Sequence, residues 1–283
     1  MEIKINKEAI NIPQNWNDCT QNELHGIFNI LYDENTKIHE SRLRITKLLL
    51  NKKLSFFKKW EKDAKIESET QFFDELNDVI MACTDWIFGR IDDGNLFING
   101  GLTRPPFEIL KNKTRIYHAP SQFLNNITVW EFAHLEAFFE ALRDKKNTKF
   151  ALNRLIAVLY RNHKPKTAEN KVMNYEGDVR IEFNKHESTI NKRAYDIQNI
   201  EFYKKMLILH FYESCRKLIL EALHPRMKIG GATNSESKLN TWVQLILELS
   251  GGKFGDLEKT GNTNLFTIIE YLNHEQRKIS QKS

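Results

Sequence analysis

Residues 126–161, NITVWEFAHLEAFFEALRDKKNTKFALNRLIAVLYR, constrain the fold most, because apolar residues recur at helical spacing on both sides of one short polar break. Phe132, Leu135, Phe139 and Leu142 share a face of a first helix, and Thr128 with Glu131 gives the T-x-x-E pattern of a capping box at its start. Leu152, Leu155, Ile156 and Leu159 form the stripe of a second helix. The break from Arg143 to Asn147 has the length that lets neighbouring helices pack antiparallel. At about 1.5–3 kcal/mol per large apolar side chain fully buried, such a pair contributes well over ~10 kcal/mol before ordering entropy is subtracted.

The same order occurs nearer the start of the chain. Thr20 and Glu23 repeat the capping box ahead of Leu24, Ile27, Phe28 and Leu31, and a second helix carries Leu43, Leu48, Leu49 and Leu50 behind Ser41 as its cap. An internal duplication and the ordinary recurrence of capped hairpins both account for this, and the second weighs more. Ile3, Ile5, Ile10 and Ile12 alternate as in a strand or extended arm, and Phe73, Leu76, Ile80 and Cys83 predict a helix from Glu69 to about Phe88.

Between about 88 and 118 the period changes. An Asp93-Gly94 turn, a second turn at 111–113 and Pro105-Pro106 predict a small β insert. The polar stretch 162–176 is the expected domain boundary, dividing an N-terminal region, 1–165, from a C-terminal helical region, 166–283. Beyond it, Val179, Ile181 and Phe183 alternate as a short strand, and Ser188 or Thr189 opens a helix. A largely buried helix from Ile200 to Leu223 is ended by His224-Pro225. A final pair follows, with Trp242, Leu245, Ile246 and Leu249 stopped by Gly251-Gly252, then Leu265, Ile268, Ile269 and Leu272 before a fraying tail from Glu275. The expected class is mainly α, repeated helical hairpins with a small β insert, with α+β as its neighbour.

Chemistry is harder to find. The three cysteines lie far apart with no C-x-x-C pair, as in a reducing cytoplasm, and the nine histidines form no metal-ligand spacing. No export signal or membrane span is visible. His134 stands three residues after Glu131, a spacing that suits acid–base work but reads more simply as a surface hydrogen bond between helical neighbours. The glycine-rich loops lack phosphate-loop and dinucleotide spacing, and no nucleophile has a surrounding signature, so neither enzyme chemistry nor a cofactor is expected. A net charge of +5 identifies no partner by itself. The basic run Arg143, Lys145, Lys146 and Lys149, with Arg154, Arg161, His163, Lys164 and Lys166, is the candidate nucleic-acid surface; a solvated loop is the simpler reading, and binding is expected to be weak or absent. In the insert, Leu96, Phe97, Ile98 and Phe107 are the candidate partner-binding residues, because an extended segment there can exchange strands with a neighbour.

Several phrases resemble proteins of the tail modules of tailed phages and prophages, including tail assembly chaperones. They are I-P-x-x-W-x-D-x-T-x-x-E (Ile12 to Glu23), APSQFLNNITVWEFAHLE, RLIAVLYR, GDVRIEFN, and a Trp-led helix followed by KFGDLEKT and a last helix. The resemblance covers most of the chain in pattern, and this chain is longer and has more β insert than a minimal tail chaperone. It implies a non-enzymatic structural component or assembly chaperone, in the bacterial host cytoplasm or the virion, with other tail or tape-measure proteins or a second copy as partners and no membrane. A basic helical nucleic-acid-binding module is the alternative.

Overall fold

The computed structural model describes residues 2–5, 8–33, 36–50, 69–90, 96–112, 115–144, 148–165, 177–227 and 238–280. The chain is mainly helical with short antiparallel hairpins, as expected. It divides into two compact units, one of Met1–Leu102 with Phe202–Phe211 and one of Thr103–Glu201 with Tyr212–Ser283. The division expected at 165/166 falls beside residues 166–176, outside the described residues.

In the first unit, β1 (Glu2–Ile5) and β2 (Glu8–Asn11) pair as a hairpin, followed by α1 (Gln21–Leu31), α2 (Ile38–Leu49), α3 (Glu69–Thr84), β3 (Phe88–Arg90) and β4 (Leu96–Ile98). The capping box at Thr20 is complete: its hydroxyl accepts from the Glu23 N–H while the Glu23 carboxylate accepts from the Thr20 N–H at 2.6 Å. Ser41 is not a cap. Helix α2 begins earlier, behind Lys37, and Ser41 is buried inside it. Trp16 organises the core: its ring lies 5.4 Å from Phe28, 4.9 Å from Trp86 and 5.0 Å from His210, and its indole N–H donates to the Asn99 carbonyl at 2.6 Å. Within the β3–β4 hairpin the Phe97 ring covers Gly89, where an added Cβ would stand 2.2 Å from the Phe97 Cζ.

The second unit holds β5 (Ile109–Lys111), β6 (Ile116–His118), α4 (Val129–Arg143), α5 (Thr148–Leu159), α6 (Glu187–Ile197), the later part of α7 (Phe202–Met227), α8 (Lys238–Leu249), α9 (Leu257–Asn262) and α10 (Leu265–Ser280). The expected insert is therefore two hairpins, one in each unit. Helix α7 continues past His224-Pro225 to Met227, so the proline lies inside its last turn and not beyond its end. Helix α10 runs to Ser280, well into the tail expected to fray. The short helix α9 was not expected; Asp256 caps it, accepting from the Lys259 N–H at 2.8 Å. The start of α6 is set behind His186 and not by Ser188 or Thr189.

Helix α4 is the centre of this unit, with Val129, Trp130, Glu131, Phe132, Ala133, Leu135 and Glu136 all buried. Two of its sides meet the end of the chain. The Val129 N–H donates to the Thr263 carbonyl and the Leu265 N–H to the Ile127 carbonyl, while the Trp130 indole lies flat on Gly261 of α9. Lys185 sits 4.5 Å above the same ring and pairs with Glu258.

Two outcomes follow from this packing. An added Cβ at Gly261 would meet Trp130 Nε1 at 1.9 Å, and a buried indole has no room to retreat. Gly261→Ala is expected to destabilise by about 1–3 kcal/mol, and Gly252→Ala, whose nearest neighbour is 3.8 Å away, by less than ~1 kcal/mol in urea unfolding. In the first unit, burial holds the His210 imidazole down to about 4, against an ordinary 6.5. The unfolded chain then binds a proton that the folded chain refuses, so this contribution is complete above pH 6.5 and is lost as pH falls toward about 4, amounting to about 3 kcal/mol. His210→Phe should remove that part of the pH dependence; a slope identical to the parent's would contradict it.

Candidate functional site

The helix α4–α5 pair ends in a problem of backbone chemistry. The last carbonyls of a helix have no partner within it, and α5 ends in the core with no basic residue in its final turn. Two arginines from later in the chain supply what is missing. Arg180 Nη1 donates to the Leu159 carbonyl at 2.8 Å, and Arg193 Nε, from α6, donates to the Ala157 carbonyl at 3.0 Å. Both guanidiniums are buried.

Arg161 follows Tyr160 just past the end of α5 and is 1% exposed. It is held by two short pairings that extend from β6: His118 and Arg161 exchange backbone bonds at 2.7 and 3.1 Å, and Lys164 and Ile181 then bond to Val179 and Asn162, both at 2.8 Å. The segments around 161 and 180 are thus laid side by side, which brings their guanidiniums to the same place.

The counter-charges are Glu131 and Asp178. The Glu131 carboxylate, 2% exposed, lies 2.9 Å from Arg161 Nη1 and 3.5 Å from Arg180 Nη2. Asp178 lies 3.2 Å from Arg161 Nη2 and 2.8 Å from Arg180 Nη2, and also accepts the Arg180 N–H. Asn126 completes the shell, accepting from Arg180 Nη2 at 3.2 Å. Burial pushes the Glu131 carboxyl above its ordinary range while Arg161 and Arg180 pull it back. Burial lowers Arg193 to about 10, with Arg161 adding to the effect.

The expected capping box at Thr128 is therefore only half formed. Thr128 accepts from the Glu131 N–H at 3.2 Å, but the carboxylate that closes the box at Glu23 is turned here toward the guanidiniums, a charge-assisted contact stronger than a bond to one amide. His134 Nδ1 lies 2.8 Å from the Trp130 carbonyl, so its helical partner is not Glu131, and it is half-buried. A second buried carboxylate on α4, Glu136, accepts from Tyr212 at 2.6 Å and from Arg216 Nε and Nη2 at 2.6 and 2.9 Å.

As chemistry, these arrangements hold charges still. The two buried carboxylates, Glu131 and Glu136, each face guanidinium donors that hold them in place. Burial raises the Cys83 thiol to about 11 and the Cys215 thiol to about 12, away from thiolate reactivity. Among the described residues no group of three or more His, Cys, Asp and Glu side chains is placed to hold a metal ion, and no helix is long and apolar enough to cross a membrane.

Of the residues expected to contact nucleic acid, Arg143 and Lys149 are exposed, Lys164 is half-buried, and Lys145, Lys146 and Lys166 lie outside the described residues. Arg154 bonds Glu187 and Asn191 at 2.6 and 2.7 Å, so with Arg161 buried the basic run contributes less to the surface than its sequence indicates. Of the expected partner-binding residues, Leu96 and Ile98 are half-buried and Phe97 exposed in the first unit; Phe107 is buried in the second, its carbonyl accepting from Tyr160 at 2.9 Å.

The buried cluster was missed by sequence reasoning, although a signal existed. Glu136 stands four residues after Phe132 and three before Phe139, inside the apolar stripe, and Glu131 stands four before Leu135. A charge in an apolar arc predicts a buried partner. Comparison with family models, with curated proteins and with solved structures gave no match.

Removing one member of a buried ion pair leaves the other uncompensated. Glu131→Gln is expected to cost about 3–5 kcal/mol in urea unfolding, against about 0.5–2 kcal/mol for Thr128→Ala, which removes only a cap. Equal costs would mean that Glu131 acts as a capping residue and not as the counter-ion of the arginines.

Proposed function

We propose that this chain is a non-enzymatic protein of a phage or prophage tail region, a virion component or a tail assembly chaperone, working by contact with other tail or tape-measure proteins. One observation carries the reading. The phrases that bear the resemblance supply the parts of a single packed structure: Asn126 and Glu131 come from NNITVWEF, Arg161 from RLIAVLYR, Asp178 and Arg180 from GDVRIEFN, and Gly261, which follows KFGDLEKT, receives the Trp130 ring. Such phrases are then statements about one scaffold. A scaffold whose buried ionisable groups are spent on each other presents a surface to partners more readily than a reaction centre.

Mass spectrometry of purified particles and of lysate from producing cells tests the proposal. Stoichiometric presence in particles is the result expected of a tail component, and presence only in lysate, bound to a tail protein, that of a chaperone. Absence from both associations would overturn it.

A further inference from the structure

The β5–β6 hairpin has an open edge whose hydrogen-bonding phase is fixed by its neighbours. Ile109 stands opposite His118, Leu110 opposite Tyr117 and Lys111 opposite Ile116. The Asn112 N–H donates to the Arg115 carbonyl at 3.1 Å and the Ala119 N–H to the Glu108 carbonyl at 3.0 Å. Hydrogen-bonded pairs in an antiparallel ladder fall at every second position, so the one between these is Leu110 with Tyr117. The N–H and C=O of Ile109 and Lys111 must then point away from β6. The opposite edge agrees with this phase, because the outward groups of His118 bond Arg161 and the Ile116 carbonyl accepts from Asn162. Among the described residues nothing bonds the outward groups of Ile109 and Lys111.

Side chains distinguish this edge further. Leu110 and Tyr117 are buried on the inner face, whereas Ile109 and Ile116, 42% and 49% exposed, share the outer face with Lys111. Lys111 forms no ion pair among the described residues, while the nearby Asp196 is already engaged by Arg115 at 2.7 Å and Tyr117 at 2.9 Å. We infer that β5 accepts an extended segment of another protein as an added strand, one that carries a β-branched apolar residue and an acidic residue two positions apart. The apolar residue would cover Ile109 and the acid would meet Lys111, with the main-chain groups of both β5 residues giving affinity. A second copy of this chain fits less well: pairing β5 with itself about Leu110 sets Lys111 against Ile109 and joins two chains of net charge +5. The inference names a docking edge within the assembly reading proposed above.

The test uses the full chain and the synthetic peptide Thr-Val-Thr-Glu-Thr-Val-Thr, with Thr-Val-Thr-Lys-Thr-Val-Thr as its control. Saturating acidic peptide should slow amide exchange at Ile109 and Lys111 at least about tenfold, and the lysine control should bind more weakly. Lys111→Pro removes one outward N–H without touching the hairpin's own bonds, a substitution that edge strands tolerate, and should weaken binding at least about fivefold. Lys111→Glu, which keeps every backbone group, should reverse the preference between the two peptides. Unchanged exchange, unaltered affinity in both variants, or protection that grows with protein concentration in the absence of peptide would overturn the inference, the last in favour of self-pairing. Peptide binding by a chain that never associates with tail proteins would leave the edge standing and remove the assembly reading; stoichiometric presence in particles without peptide binding would do the reverse.

Discussion

The second unit depends on how the C-terminal end of α5 is closed inside the core. Helix carbonyls without partners cannot be buried at low cost, and α5 has neither a glycine cap nor a basic residue in its last turn. Arg180 and Arg193 close that end from outside the helix. Guanidiniums placed there need counter-charges, and Glu131 is available because antiparallel packing puts the start of α4 beside the end of α5. One backbone requirement thus draws residues from α4, from α6, and from the segments around 161 and 180.

This solution is expensive in solvation, because several ionised groups leave water together. Its advantage is geometric. Apolar stripes fix which faces of α4 and α5 meet but tolerate sliding, whereas Arg180 has partners on Leu159, Asn126 and Asp178 that can be met in one arrangement only. The short pairings of 118 with 161 and of 163 with 180 carry the same register into the β5–β6 hairpin, whose far edge has no strand partner among the described residues.

Much of the helical framework is legible in the sequence, because apolar spacing encodes burial directly: Leu152, Leu155, Ile156 and Leu159 are all buried as their period requires. Thr20 with Glu23 behaves as its pattern says. Thr128 with Glu131 has the same pattern and does otherwise, because the deciding partners lie thirty and more residues away, at Arg161 and Arg180. Local sequence reports a helix start; it does not report competition for the carboxylate. For the same reason Arg161 reads as part of a basic surface, although tertiary pairing puts it in the core. The role of Gly261 is equally hidden, since nothing in LEKTGN announces an indole from α4.

Through the buried cluster, the segment around Arg180 and the α4–α5 pair form one cooperative unit. Native-state hydrogen exchange measured across increasing urea tests it directly. If the cluster joins them, the amides of Arg180 and Ile181 open together with those of 132–139 and 155–160, at the same free energy and with the same denaturant dependence. Opening of Arg180 and Ile181 at much lower free energy, with the helical amides still protected, would contradict the account.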